Sequence, residues 1–411
     1  MLTKVFQKTE KIIACLLVFL IPTQLALHFW PSYAFVFGIR VDYLAPAVYL
    51  TDVLVFCLII FWYVNDRKIF LLFLKNKRTV ILLFFIFIFV NTFFSTNLWI
   101  SLWKWMKVLE MVLFALYLYH RKSTIGVKKL YSTLFISTAT FSLIGVFQFF
   151  LGRTTGLFYF LGERSFDLTT PGIALVEIFG RDYIRAYSTF PHPNSLAGFL
   201  GVIILLSIYE KPMLGKKWFL AISIFLLCFL LTYSLSAFVS LVLAILILKI
   251  VSQKKMERKI VLFVCTLSLT LSLLLPILTR SFYTHFNFLG KKYTERIDLA
   301  YISGNMISSR FLQGVGLNTY IVNVPKFEGI FTYSWILQPV HNIFLLVFSE
   351  TGFLGLVLYF LFFLKLLRTK HFLIFLFILT TGLFDHYWIT LQQNILLYTF
   401  VVGLSLKRFK L

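Results

Sequence analysis

The sequence predicts an all-α, polytopic helical membrane protein, and three observations carry that prediction. Hydrophobic residues make up 60% of the 411, only 13% are charged, and the mean hydropathy is +0.89; a soluble domain is about half apolar and a quarter charged. Apolar runs of roughly the 17 to 25 residues needed to cross a bilayer recur along the chain. These runs are continuous rather than alternating, and a backbone in hydrocarbon must satisfy its own hydrogen bonds, so helices are expected and a barrel is not.

About twelve runs qualify, the shorter of them needing neighbours to span. They cover residues 12–30, 43–63, 79–95, 101–119, 131–151, 195–209, 218–233, 236–251, 259–279, 343–367, 371–387 and 391–406. The chain reads as a single integral membrane domain over 1–411. Lys4, Lys8 and Lys11 precede the first run with no small-x-small cleavage pattern, which marks an uncleaved first helix.

The net charge of +23, from 39 Lys and Arg against 16 Asp and Glu, acquires its meaning from its distribution. Basic residues gather in alternate connections: Arg67, Lys68, Lys75, Lys77 and Arg78, then Arg121, Lys122, Lys128 and Lys129, then Lys211, Lys216 and Lys217, and finally Lys407, Arg408 and Lys410. With both termini cytoplasmic, most of the positive charge lies inside, as the positive-inside rule requires, and no nucleic-acid partner is predicted. Asp42, Glu163, Asp167, Asp182, Glu295, Asp298 and Asp385 fall on or near the opposite face. Trp30, Trp99, Trp103, Trp218 and Trp388 mark predicted span ends as belt aromatics do. Cys15, Cys57, Cys228 and Cys265 sit within apolar spans without CxxC spacing and read as small buried hydrophobes.

Two outer connections are long, 152–194 and 280–342, and long structured loops are usually functional. The second carries Glu295, Arg296, Asp298, Arg310 and the run from Gly314 to Tyr320, and leads into His341 where a polar loop meets an apolar helix. The first ends on Arg185 and His192-Pro193-Asn194, again just before a span.

His192-Pro193-Asn194 at a helix start, Gly314-Val315-Gly316, and His341-Asn342 followed by Glu350 and Gly352 resemble the O-antigen ligase and O-antigen polymerase superfamily. The likeness covers nearly the whole chain, with the ligase-like core over about 195–367, and extends to Asp385-His386 with Gln392 and Gln393. No one motif is specific by itself; their order and the long penultimate loop are. The resemblance implies a metal-independent, inverting glycosyltransferase of GT-C-type architecture in the bacterial cytoplasmic membrane, with its active site facing outward. The implied donor is a glycan on undecaprenyl diphosphate, the acceptor a lipid, glycan or protein, and no cofactor is implied.

The chemistry follows from the residues as well, since joining sugars needs a base for a hydroxyl and cations for a departing diphosphate. His341 is the candidate base, because an unperturbed imidazole titrates at about 6.5; the resemblance aligns it with the family's catalytic histidine. Arg185 and Arg296 are the candidate diphosphate ligands, with Arg310 a weaker third, because a guanidinium presents a fork of donors to phosphate oxygens. Solvated loop charges, or partners for Asp182 and Asp298, are the bland alternative. His192, Asn194, Asn342, Asp385 and His386 are candidate supports of the site, although His-Pro-Asn is also an ordinary turn and helix cap. Gly314 and Gly316 are read as shaping a loop.

Glu350 lies nine residues beyond His341, about 900 degrees and roughly 13 Å along a continuous helix, and so is expected on the opposite face. With Lys104, Lys107 and Glu110 it is expected to form a structural ion-pair network between the fourth and tenth spans. Relatives commonly carry an arginine where this chain has Leu235, which leaves another cation to hold the diphosphate. No HExxH occurs and the outer histidines are scattered, so no metal site is expected. A polysaccharide or lipid flippase is the rival class, but transporters place polar groups near the midplane of repeated halves, and this chain concentrates them in two loops.

Overall fold

The computed structural model describes residues 2–210, 218–251, 270, 291–327 and 337–406. The expected span 259–279, Cys265, and the basic clusters at 211–217 and 407–410 lie outside the described residues.

Among the described residues, fifteen α-helices dominate. The first segment is α1 (Leu2–Leu20), followed by a small β-structured stretch and then α2 (Leu50–Asn65), α3 (Arg67–Asn76) and α4 (Arg78–Phe93). Within that stretch β1 (Ala26–His28) pairs antiparallel with β4 (Ala47–Tyr49), and β2 (Phe35–Val36) with β3 (Ile39–Arg40). Two long helices follow, α5 (Leu98–Ile125) and α6 (Val127–Leu151), then the hairpin β5 (Leu175–Ile178) and β6 (Arg181–Ile184). The remaining helices are α7 (Pro193–Tyr209), α8 (Trp218–Leu231), α9 (Leu235–Val251), α10 (Lys291–Ser309), α11 (Tyr320–Phe327), α12 (Ile343–Leu366), α13 (Phe372–Gly382), α14 (Tyr387–Thr390) and α15 (Gln392–Ser405).

The all-α expectation holds for the bundle, while the count of about twelve spans meets a stricter limit. Among the described residues, α6 and α12 are long and apolar enough to cross a membrane by themselves, and α2, α4, α7, α8, α9 and α13 are shorter apolar helices. The expected spans 12–30 and 43–63 need correction: α1 stops at Leu20, α2 starts at Leu50, and the chain between them forms the two ladders. The chain between the two helices instead builds an outlying core, in which Ala34, Val36, Val41 and Leu44 pack with Leu299, Ile302, Met306 and Val315. Trp388 is also corrected: its indole is buried and donates to Thr381 Oγ1 at 2.8 Å, so it is core and not belt.

Polar side chains seal the helix starts that face the loops. Asn97 caps α5 by accepting from the backbone of Trp99 and Ile100, and Asn342 caps α12 by accepting from Phe344 and Leu345. His192 Nδ1 accepts from Asn194 N at 3.1 Å, with Pro193 at the first helical position. The 152–192 connection is organised by buried Glu163, whose carboxylate receives Gln148 Nε2, the backbone of Thr155 and Phe158, and the Thr155 hydroxyl.

The opposite end of the bundle is tied by a buried charge cluster. Arg121 on α5 meets Glu10 on α1 at 2.6 Å and Asp66 at 2.5 Å, and Tyr117 and Asn65 also donate to Glu10. Removing Glu10 leaves Arg121 to Asp66 alone and takes the acceptor from the Tyr117 and Asn65 donors. Glu10→Ala is therefore expected to cost about 1–3 kcal/mol, read as a drop in the melting temperature of the purified protein.

A break interrupts α12 at Gly352, which takes φ 70° and ψ −173°. The loop carrying Gly314-Val315-Gly316 fills the break: Val315 N donates to Ser349 O at 2.8 Å, Gly316 N to Glu350 O at 3.0 Å, and Phe353 N to Phe311 O at 2.8 Å. Asn91 on α4 locks the joint by donating to Glu350 O and Gln313 O, while its own carbonyl accepts from Trp105 and Leu317. The Ser349 and Glu350 carbonyls and the Phe353 amide freed by the break are thus met by other backbone or by one buried amide.

Candidate active site

Four helix starts and connections converge on one cavity of about 1110 Å³, lined by residues of the 21–49 stretch, the 152–192 connection, and the beginnings of α7 and α12. His341 stands on its wall just before the Asn342 cap, and Asp385 and His386 come from the α13–α14 connection.

The polar groups form a connected chain. Arg185 donates through Nε to Thr232 O at 2.5 Å and through an amino group to Asn194 Oδ1 at 2.7 Å. Asn194 Nδ2 donates to Asp385 Oδ2 at 3.1 Å, and Asp385 Oδ1 lies 3.5 Å from His341 Nδ1, while also accepting from the backbone N of His386. The His341 approach is long for a hydrogen bond, as catalytic pairs without substrate often are. His386 is fixed by Thr390 Oγ1 at 2.8 Å, and its ring lies 5.1 Å from that of His341 and 5.6 Å from Tyr43.

Burial by itself would raise the Asp385 carboxyl, but the approach and charge of His341, with the charges of His386 and His192, outweigh it and hold the group well below the usual carboxylate range. Burial lowers the Arg185 guanidinium against the opposing pull of Tyr187 and Asp385, and an arginine so lowered still stays charged. Burial pushes His386 down to about 3 in spite of neighbouring Asp385, so the ring is neutral near pH 7. An unfolded histidine takes up its proton at about 6.5, and the depressed folded value means that stability present above that pH is lost as the pH falls towards 3. The melting temperature is therefore expected to fall between about pH 6.5 and pH 4, and His386→Gln should flatten that slope.

The structure separates the expected site residues. His341, Arg296, His192, Asn194, Asp385 and His386 line the cavity, and Arg185 reaches it through Asn194. Arg310 is away from the lining and donates to Phe94 O at 3.1 Å, beside the Gly-Val-Gly loop that its backbone helps to turn. Asn342 is spent on capping α12 and on Leu383 O. Leu235 is exposed at the α8–α9 turn, and Arg185 serves that turn through Thr232.

The expected ion-pair network is corrected. Lys107 pairs with Asp52 on α2 at 2.5 Å and with Glu110 at 3.0 Å, not with Glu350. Glu350 accepts from Tyr320 N at 3.3 Å at the start of α11, and Lys104 faces it across the cavity as its electrostatic counterpart. Glu350 also lines the same cavity as His341, because the cavity is deep enough to run down α12 past a turn-by-turn change of face. Arg164, Arg40 and Tyr43 line the cavity as well. Arg164 and Arg40 belong to no motif, and Tyr43 falls at the start of the span expected over 43–63.

The histidines that are scattered in sequence converge in space: His341, Asp385 and His386 offer ligand atoms within 4.8 Å of one another. The absence of HExxH spacing carried no information about this convergence, which long-range packing produces.

In the comparison with known proteins, the family model described as O-antigen ligase matches residues 220–360. The match supports the resemblance to the O-antigen ligase/polymerase superfamily. No curated protein matches the chain. The matched O-antigen ligase region holds α8, α9, the Gly-Val-Gly loop, the break at Gly352 and His341, so the interlock and the candidate base both fall inside it. Arg185, Asn194 and Asp385, which complete the polar chain, come from outside it. The match supports a membrane protein of the glycan ligase or polymerase kind.

Proposed function

We propose that this protein transfers a glycan from an undecaprenyl-diphosphate donor to a hydroxyl acceptor at the outer face of the bacterial cytoplasmic membrane, by an inverting, metal-independent reaction on a GT-C-type scaffold. The observation that carries the reading is the buried Asp385 carboxylate set beside His341 Nδ1, which leaves Nε2 of the same ring for the acceptor. The acceptor oxygen attacks the anomeric carbon, the bond from that carbon to the diphosphate oxygen breaks, and the lipid diphosphate leaves with the electron pair. His341 takes the hydroxyl proton, and Asp385 stabilises the imidazolium that forms.

Arg296 and Arg164 on the cavity wall face the leaving diphosphate, and Arg185 holds Asn194 and hence Asp385 in position. The orientation follows from the basic residues gathered at the other ends of the helices. Purified protein given labelled undecaprenyl-diphosphate oligosaccharide is expected to transfer the glycan and release lipid diphosphate. Movement of the lipid across vesicles without transfer would overturn the reading in favour of a flippase.

The convergence of His341, Asp385 and His386 favours one second reading, a divalent metal held by the three. Both Asp385 oxygens already accept from Asn194 and from His386 N, which argues for the dyad. Transfer is therefore expected to be unchanged by EDTA; loss of activity restored by added Zn²⁺ or Mn²⁺ would establish the metal.

A further inference from the structure

We propose that Arg40 and Asp42, backed by Trp30, form a glycan subsite that selects a sugar unit of the bound glycan other than the one that reacts. The inference rests on the glycan-transfer reading and adds to it the recognition of a neutral pyranose with adjacent hydroxyls.

Both side chains line the cavity that holds His341. They pair at 3.5 Å, yet 62% of the Arg40 and 72% of the Asp42 side chain is open. An exposed pair of this kind contributes little to stability, so its placement calls for another explanation. A guanidinium and a carboxylate side by side present a donor and an acceptor, the complement of two neighbouring sugar hydroxyls.

The pair is also held ready. The Arg40 guanidinium lies 4.5 Å over the Trp30 ring, whose other contacts are stacked His28 and edge-on Phe35. The β2–β3 ladder fixes Arg40 opposite Phe35, and Asn318 Nδ2 donates to Tyr43 O at 2.9 Å just beyond Asp42. A side chain immobilised before binding loses less entropy when it binds.

The pair and the histidine share one wall-to-wall cavity. Tyr43 touches the His386 ring, which touches that of His341. Arg40 lies three residues before Tyr43, a reach of at most about 10 Å for extended chain. A sugar held there belongs to the same bound glycan as the one that faces His341, further along it.

The test varies substrate length with the full-length protein. Undecaprenyl diphosphate carrying one sugar and the same lipid carrying an oligosaccharide are compared, first as donor and then as acceptor. Arg40→Gln and Asp42→Asn are each expected to raise KM for one of the oligosaccharide substrates by about 10-fold, the loss of one hydrogen bond to a charged group. The kcat and the KM for single-sugar substrates should stay at wild-type values, and the substrate whose KM moves names the source of the bound unit. Equal changes for short and long substrates, or none for either, would overturn the subsite.

Should the wild-type protein transfer nothing, the glycan-transfer reading fails by itself. Saturation-transfer NMR with methyl glucopyranoside, galactopyranoside and mannopyranoside then reads the subsite directly. A signal in wild type that Asp42→Asn abolishes and His341→Ala keeps sustains it, and no signal in wild type overturns it.

Discussion

His341→Ala is expected to lower kcat by about 10²- to 10⁴-fold, the contribution of a positioned base. Asp385→Asn should lower it within the same range, because the ring then loses the carboxylate that orients it and stabilises its protonated form. The two act as a unit, so the double variant should be no slower than the worse single variant. KM for the lipid-linked donor should change little in either, since neither group is assigned to the diphosphate. Activity of His341→Ala equal to wild type would remove the proposed base. Additive losses in the double variant would separate Asp385 from it.

Gly352→Ala carries the largest expected effect on folding. The residue sits at φ 70° and ψ −173°, a region open essentially to glycine only, and a Cβ there would run into the carbonyl of Leu312. Leu312 belongs to the loop whose neighbours Val315 and Gly316 satisfy the carbonyls of Ser349 and Glu350, so the clash cannot relax without breaking those bonds. Strain and lost pairing together are expected to cost about 3 kcal/mol or more. A melting temperature within a degree or two of wild type would show that the interlock tolerates a shift. Gly314→Ala is expected to act in the same direction, since its φ is 70° and a Cβ would meet Glu350 backbone at 2.5 Å.

The bundle and the place of His341 at the head of α12 were legible in the sequence because both depend on local signals. Apolar runs locate α6, α7 and α12 to within a few residues, and a histidine followed by an asparagine cap marks the head of α12. The 21–49 stretch was not legible. Alternating apolar residues in short ladders resemble span ends once they are continuous with real helices, and their burial against α10 is a long-range event. The same holds for the fate of charges. The sequence offers Lys107 as a partner for Glu350, yet the lysine turns to Asp52 on α2. Asp385 is instructive in the other direction: its resemblance to family members made it a support, and packing set it against His341 through Asn194.

The order in which the ribosome delivers these groups has a consequence for the cell. Arg185 and Asn194 emerge first, His341 much later, and Asp385 only with the closing helices α13 to α15. The carboxylate beside the histidine therefore exists only after those helices have entered the bilayer and packed against α7. A chain stalled or clipped before that point displays its histidine without the partner.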